Sequence, residues 1–209
     1  MTHKKYLRWV LEFLSIVAIS VILKTPNWSP YWIVVPVLVV ILLKVFEYRT
    51  ETTEAYGKIH AQLNLLLKLF PFESRANVRC TYFVPSWGAR LFQAMHYIPA
   101  QTGGGRRFKR SRGIIGKAFR EKRSLVENFR DGADYRRRMV SDYNYTPEEV
   151  GERSVDRRSY FCHPLMDENH KILGLVYLDS VLPNTFPMVD DPSVDRLRTR
   201  LDIIRDSIL

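Results

Sequence analysis

The stretch Lys171-Ile-Leu-Gly-Leu-Val-Tyr-Leu-Asp179 is an apolar run that predicts a buried β-strand. A turn at residues 167–170 joins it to a similar run at residues 159–166, and the two predict an antiparallel hairpin. Upstream, Gly113-Ile-Ile-Gly-Lys-Ala-Phe119 opens an amphipathic helix that extends to residue 123 and precedes a short strand at residues 124–129. Helices inserted among hairpin-forming strands predict the α+β fold class.

The flanking sequence adds a second hairpin and a helix at each end. Residues 78–84 and 89–97 are strand-like, and Pro and Gly lie in the turn between them. Apolar residues recur with helical spacing over residues 47–69, where they predict a connecting helix that can pair with a second copy. A last helix is predicted at residues 194–209. These boundaries divide the chain into an N-terminal segment, a connecting helix and a C-terminal domain: 1–48, 49–71 and 72–209.

The order of these motifs resembles that of a GAF domain over about residues 65–209. The motifs that carry the resemblance are the glycine-opened helix GIIGKAF, a strand containing Pro164-Leu165, a turn, and the strand ILGLVYLD. The resemblance implies a central antiparallel sheet with the first and last helices on one face. It also implies a ligand cavity on the other face and a role in small-molecule sensing.

Two hydrophobic stretches, residues 6–23 and 31–46, predict a transmembrane helical hairpin that precedes the sensor. The alternative is a helical hairpin buried within a soluble domain. Lys4 and Lys5 lie before the first stretch and Arg8 lies near its start, and Lys44 and Arg49 lie at the end of the second. The positive-inside bias therefore predicts a multi-pass protein of the cell inner membrane with both termini cytoplasmic.

The formal net charge of +10 predicts acidic partners. Anionic lipids, phosphate-bearing ligands and nucleic acid all fit such a charge. Lipid is the simplest partner for a basic domain held beside a membrane, so we expect membrane lipids and no nucleic acid. We also expect a small-molecule or nucleotide ligand, a homo-oligomer and, as one route for the signal, a partner signalling enzyme.

Two segments supply candidate ligand-binding residues. The run at residues 106–112 is basic without interleaved acids, so Arg106, Arg107 and Arg110 can bind an anionic ligand or hold the domain to the membrane. Residues 131–158 correspond to the pocket-covering loop implied by the resemblance. There Tyr135, Arg136 and Tyr143 can stack a ring and bind an anion, or can form an exposed loop.

A partial signature resembles that of GAF domains that bind cyclic nucleotides. Asn169, Lys171, Phe186, Asp190 and Asp191 follow its order, but His170 separates the first two and the last acid is Asp, not Glu. The same acids can instead favour the start of the last helix.

No spacing predicts catalysis or a metal site, so we expect no enzyme activity and assign no cofactor. Cys80 and Cys162 lie in apolar strand-like runs and are predicted to be core residues. A few GAF-like proteins are methionine sulfoxide reductases that use several cysteines, and two strand-embedded cysteines do not match them.

The predicted function is a membrane-anchored small-molecule sensor that couples ligand binding to the membrane hairpin or to a partner protein. Because the sequence ends within the last predicted helix, we expect the output in the first fifty residues or in another protein. The alternative is a pore-forming membrane effector of a bacterial antiviral system, activated by a nucleotide second messenger. A third reading is an interaction scaffold with an empty cavity.

Overall fold

The computed structural model describes residue 41 and residues 53–151, 156–187, 191 and 194–208. The chain divides into two compact units, Met1–Glu54 and Ala55–Leu209, and the second is described below. Almost all of the predicted membrane hairpin, residues 1–48, lies outside the described residues. Within the described residues, no helix combines the length and the apolar character needed to cross a membrane.

Six antiparallel strands form one sheet in the order β3-β2-β1-β6-β5-β4. The central pair, β1 and β6, comes from opposite ends of the domain, so the chain closes on itself at the middle of the sheet. The strands are β1 (Val78–Ser86), β2 (Arg90–Gln93), β3 (Arg107–Lys109), β4 (Leu125–Asn128), β5 (Ser159–Met166) and β6 (Ile172–Ser180).

Helices surround this sheet, and the first one described, α1, covers residues 53–67. The other helices are α2 (Phe72–Arg75), α3 (Gly113–Glu121), α4 (Gly132–Ser141), α5 (Pro147–Val150) and α6 (Val194–Asp206). The α+β class and the antiparallel sheet expected from the sequence are confirmed.

Each face of the sheet carries its own hydrophobic core, because successive strand residues point to opposite sides. On one face, Cys80 and Leu178 pack against α1 and α6, whose contributions include Leu63 and Leu201. On the other face, Phe83 and Tyr177 pack with residues of α3 and α4. The terminal helices therefore share one face, as the resemblance implied, and the intervening helices cover the other.

Helix α3 follows from the stretch GIIGKAF. Gly113 begins it with a φ of 72°, a conformation that glycine adopts readily. Gly116 lies against the backbone, since a Cβ added there would come within 2.7 Å of the Arg110 carbonyl oxygen. Ile114, Ile115 and Ala118 are buried beside it.

Two segments are more ordered than the sequence suggested. The basic run at residues 106–112 contains β3, which pairs with β2 at the sheet edge. The expected covering loop contains α4 and α5. Asp131 accepts a hydrogen bond from the Asp134 amide at 2.8 Å, and Thr146 and Glu149 form a reciprocal capping box. These caps satisfy amide groups that the helices leave free, and so favour helix over loop.

Candidate ligand-binding cavity

A cavity of about 210 Å³ lies on the sheet face that α3 and α4 cover. Its lining combines four arginines, two acids and six aromatic side chains with a few apolar residues. The lining residues are Arg79, Tyr97, Arg106, Phe108, Arg112, Gly113, Ile114, Ile115, Tyr135, Met139, Tyr145, Asp156, Arg157, Tyr160, Tyr177 and Asp179.

An ion pair between Arg79 and Asp179 forms the charged floor of the cavity. The guanidinium of Arg79 donates from Nε to Oδ1 at 2.7 Å and from Nη2 to Oδ2 at 3.1 Å. A second guanidinium, that of Arg157, places its Nε 3.4 Å from the same Oδ1 and donates to the Asn77 carbonyl. Burial raises the pKa of the Asp179 carboxyl, while the hydrogen bonds and charge of Arg79 oppose that rise.

Aromatic rings form the wall beside this ion pair. The rings of Tyr135 and Tyr160 stack with centroids 6.1 Å apart, and Tyr160 lies 6.2 Å from Tyr177. The guanidinium carbon of Arg79 lies 4.0 Å above the centre of the Tyr97 ring. Burial raises the pKa of Tyr97 to about 12, so this phenol stays protonated at neutral pH. The wall is therefore neutral, and charge in the cavity comes from arginine and aspartate.

Arg106 is held at the cavity by neutral acceptors. Its Nε donates to Gln93 Oε1 at 2.9 Å and to the Gly103 carbonyl at 2.8 Å. Gln93 is itself fully buried and donates to Thr81, whose hydroxyl donates to the Met95 carbonyl. Both acceptors are uncharged, and no ion pair among the described residues involves Arg106, so its charge is open to pairing with an anion.

The start of α3 adds positive potential to the cavity. Arg112, Gly113 and Ile114 line it, and no side chain caps this helix end. The amide of Gly113 is satisfied by the Tyr143 carbonyl at 2.9 Å, and Arg112 forms an ion pair with Glu149. A helix N-terminus carries a partial positive charge, so an anion at this end of the cavity is favoured.

The structure brings two of the six predicted site residues to the cavity, Arg106 and Tyr135. Arg136 is exposed on α4 and is not among the lining residues. Tyr143 is fully buried in the core, with Lys117 Nζ 5.0 Å from its ring centre.

The other two predicted arginines also lie outside the cavity lining. Arg107 is exposed on the edge strand β3. The guanidinium of Arg110 donates to the carbonyls of Ser86 at 2.9 Å and Arg90 at 3.2 Å, so it braces the β1–β2 turn.

Sequence reasoning missed the residues of the cavity floor. Period-two alternation was the available signal: it puts Arg79 on the face of Phe83, and Asp179 on the face of Tyr177. It also places Tyr160 there, directly across from Asp179. Their association required the strand order, which the sequence did not supply.

The partial cyclic-nucleotide signature does not converge on this cavity. Phe186 is buried in the core on the opposite face, where its ring lies 5.6 Å from that of Phe70. Asn169 and Lys171 are exposed in the β5–β6 turn. Asp191 is exposed before α6, and Asp190 lies outside the described residues.

A scan against known protein families finds no match, and a search of curated proteins finds none. Solved structures do match. A GAF domain region from a Geobacter sulfurreducens PCA protein gives a TM-score of 0.55 at 16% identity, covering 78% of this chain and 97% of that one. The GAF domain of a two-component sensor histidine kinase from Bacillus halodurans gives 0.52 at 15% identity, covering 73% and 92%. The domain has a GAF-like fold.

The same fold occurs in an enzyme. A type II free methionine-R-sulfoxide reductase from Thermoplasma acidophilum gives a TM-score of 0.50 at 12% identity, covering 75% of this chain and 92% of that one. In the present chain Cys80 and Cys162 lie in the cores on opposite faces of the sheet. Burial raises the pKa of both thiols, which disfavours the reactive thiolate.

Within the described residues, no group of three or more His, Cys, Asp and Glu side chains converges as a metal site would require. The cavity itself offers guanidinium groups and aromatic rings for contact with a ligand.

Proposed function

We propose that the GAF-like domain is a sensor for a compact anionic molecule that carries a planar ring. The observation that supports this is the joint presence of four guanidinium groups and six aromatic side chains around one cavity. Guanidinium groups bind carboxylate or phosphate through paired hydrogen bonds. Aromatic rings stack on planar ligands, and Tyr135 and Tyr160 already stack on each other at the wall.

Within the site, Arg106 is the proposed anion contact and Tyr135 the proposed ring contact. Arg79 and Arg157 both form ion pairs with Asp179, and Arg112 forms one with Glu149. Arg106, in contrast, donates hydrogen bonds to neutral acceptors. An incoming carboxylate or phosphate at Arg106 gains a charge-assisted hydrogen bond without breaking an ion pair.

The volume favours a small ligand. Pockets for drug-sized molecules usually measure about 300–1,000 Å³, and this cavity measures about 210 Å³. A single ring with one acidic group fits this space better than a cyclic dinucleotide does. The pore-forming alternative, which requires a nucleotide messenger, is thus the less favoured reading.

The proposed sensor is anchored in the inner membrane by residues 1–48 and acts through that segment or through a partner protein. Helix α1 contributes Ile59, Leu63 and Leu66 to the core on the reverse face of the same sheet. Arg79 of β1 and Asp179 of β6 line the cavity, so a ligand packed against them can bias the packing of α1, since interiors are close-packed and transmit small shifts. We also propose that α1 pairs with the same helix of a second copy of the chain.

The test is to purify the full chain in mild detergent, release bound small molecules and identify them by mass spectrometry. We expect an anionic ring compound from the wild type and much less of it from an Arg106→Ala/Tyr135→Ala variant that melts at the same temperature. Empty wild-type protein that is also not stabilised by a panel of anionic ring compounds would support the scaffold reading. Leakage from protein-containing vesicles on addition of a nucleotide would support the effector reading.

A further inference from the structure

The turn between β1 and β2 displays Trp87, whose side chain is 96% exposed. The turn is braced by Arg110, whose guanidinium donates to the carbonyls of Ser86 and Arg90 at its two ends. Gly88, with a φ of 68°, supplies the left-handed backbone that lets the chain reverse. The Trp87 indole is therefore held at the tip of a braced turn.

Three cations lie beside this tip on one face of the sheet edge. In the β2–β3 register Arg90 pairs with Lys109, and Phe92 pairs with Arg107, so these four residues share a face. Arg90, Arg107 and Lys109 are all exposed. Arg90 and Lys109 are like charges directly opposite each other, an arrangement that destabilises a strand pair.

No ion pair found within the described part of the chain involves these three cations. None of them lines the cavity either, and neither does Trp87. Trp87 and these three cations together form a surface, here called the hairpin patch. It is distinct from the ligand cavity and carries uncompensated positive charge.

We propose that the hairpin patch docks onto an anionic lipid surface, with the Trp87 indole in the headgroup region and the three cations on lipid phosphates. Indole rings prefer the membrane interface because one part is apolar and the N–H is polar. Each basic residue near an anionic leaflet adds attraction that falls off within a Debye length. The anion covering the patch also relieves the repulsion between Arg90 and Lys109.

Two alternative roles explain less of the hairpin patch. Lysine and arginine on an edge strand can simply prevent strand addition by another chain, but that role gives no reason to expose a whole indole at the tip. Nucleic acid would also neutralise the cations. The apolar stretches at residues 6–23 and 31–46 make lipid the nearer anion if they span the membrane as the sequence predicts.

The test uses the full chain in nanodiscs, with Trp9, Trp28 and Trp32 changed to Phe so that Trp87 is the remaining tryptophan of the four. Brominated phosphatidylcholine in the discs quenches an indole that enters the lipid. We expect strong quenching of Trp87 when the discs also contain phosphatidylglycerol. We expect little in phosphatidylcholine discs, and recovery of fluorescence in high salt, where the Debye length falls from about 10 Å to about 3 Å.

An Arg90→Glu/Arg107→Glu/Lys109→Glu variant should lower the fraction docked by at least about tenfold, given the attraction per charge. The milder Arg107→Gln/Lys109→Gln variant should give an intermediate loss if the triple variant misfolds. Arg136→Gln removes one positive charge from an exposed site on α4, outside the cavity lining and the hairpin patch; it is the matched control and should dock normally. Equal quenching in both kinds of disc, or none in either, would overturn the proposal. A duplex DNA bound through the same cations without lipid quenching would overturn it in favour of a nucleic-acid surface.

Discussion

Arg79 and Asp179 lie directly opposite each other on β1 and β6, joined by two hydrogen bonds of 2.7 and 3.1 Å. The Asp179 side chain is 2% exposed and that of Arg79 is 26% exposed. The pair sits at the centre of the sheet and at the floor of the cavity, so it links the stability of the fold to the shape of the site.

Replacing Asp179 by Ala should lower the free energy of unfolding by about 3 kcal/mol, because it leaves Arg79 and Arg157 without their buried carboxylate. Urea unfolding of the unit Ala55–Leu209 measures this. The Arg79→Ala/Asp179→Ala variant should lose less than the sum of the two single variants. Asp195→Ala is the control: it breaks an exposed pair with Arg198 and should cost less than about 1 kcal/mol. Equal losses from Asp179→Ala and the control would contradict a structural pair.

Gly116→Ala should destabilise the domain although alanine favours helices. The added Cβ would lie 2.7 Å from the Arg110 carbonyl oxygen, a backbone atom that cannot rotate away. Gly57→Ala is the matched substitution in α1, where nothing lies within 4 Å. It should stabilise by about 0.5–1 kcal/mol through helix propensity. A melting temperature that rises for Gly116→Ala as it does for Gly57→Ala would refute the close packing of α3.

His163 should make the domain sensitive to acid. Burial, reinforced by Arg198 and Arg205 and opposed by Asp202, lowers the pKa of His163 from 6.5 to about 4. Its contribution is complete above about pH 6.5 and is lost as the pH falls through about 4, because the unfolded chain then binds a proton that the folded chain resists. The expected loss is about 3 kcal/mol.

Urea unfolding between pH 7 and pH 4 checks this expectation. His163→Gln should flatten the pH profile. His170→Asn, at an exposed turn residue with a φ of 56° that asparagine tolerates, should leave the profile unchanged. A profile for His163→Gln that is as steep as that of the wild type would assign the acid sensitivity to other groups.

Arg106→Ala and Arg136→Ala separate the two candidate anion contacts. The sequence predicts both as anion contacts, and of the two only Arg106 lines the cavity. Loss of a charge-assisted contact of about 1.5–3 kcal/mol weakens binding roughly ten- to a hundredfold. Calorimetry with the compound that co-purifies should show this loss for Arg106→Ala in protein that remains folded. If only Arg136→Ala weakens binding to this extent, the ligand binds at the outer face of α4 and not in the cavity.

The predicted membrane hairpin is open to a topology test. A reporter fused after Leu209 and another inserted within residues 25–29 should report opposite sides of the inner membrane. The reporter after Leu209 should be cytoplasmic. Reporters found on the same side would remove the hairpin from the proposal, and with it the expected anchoring.

The segments at residues 106–112 and 131–158 show how much of the candidate site the sequence could predict. Arg106 and Tyr135, which line the cavity, were predicted only within larger groups, because composition marks a segment as basic or aromatic without indicating direction. In the run at residues 106–112 the structure sends Arg106 to the cavity and Arg107 to the outer edge. Strand pairing decides that split, since neighbouring residues of a strand point to opposite faces.

The sequence by itself determined the order of five strands and three helices, the strand pair at residues 159–166 and 171–179, and the helix that begins at Gly113. Apolar periodicity and turn residues are local properties, and local sequence suffices for them. Only the tertiary structure decided that Arg79 meets Asp179, 100 residues away in the chain. That contact depends on β1 and β6 lying side by side at the middle of the sheet. Such a pairing is set by the packing of both sheet faces together, which no single stretch of the sequence encodes.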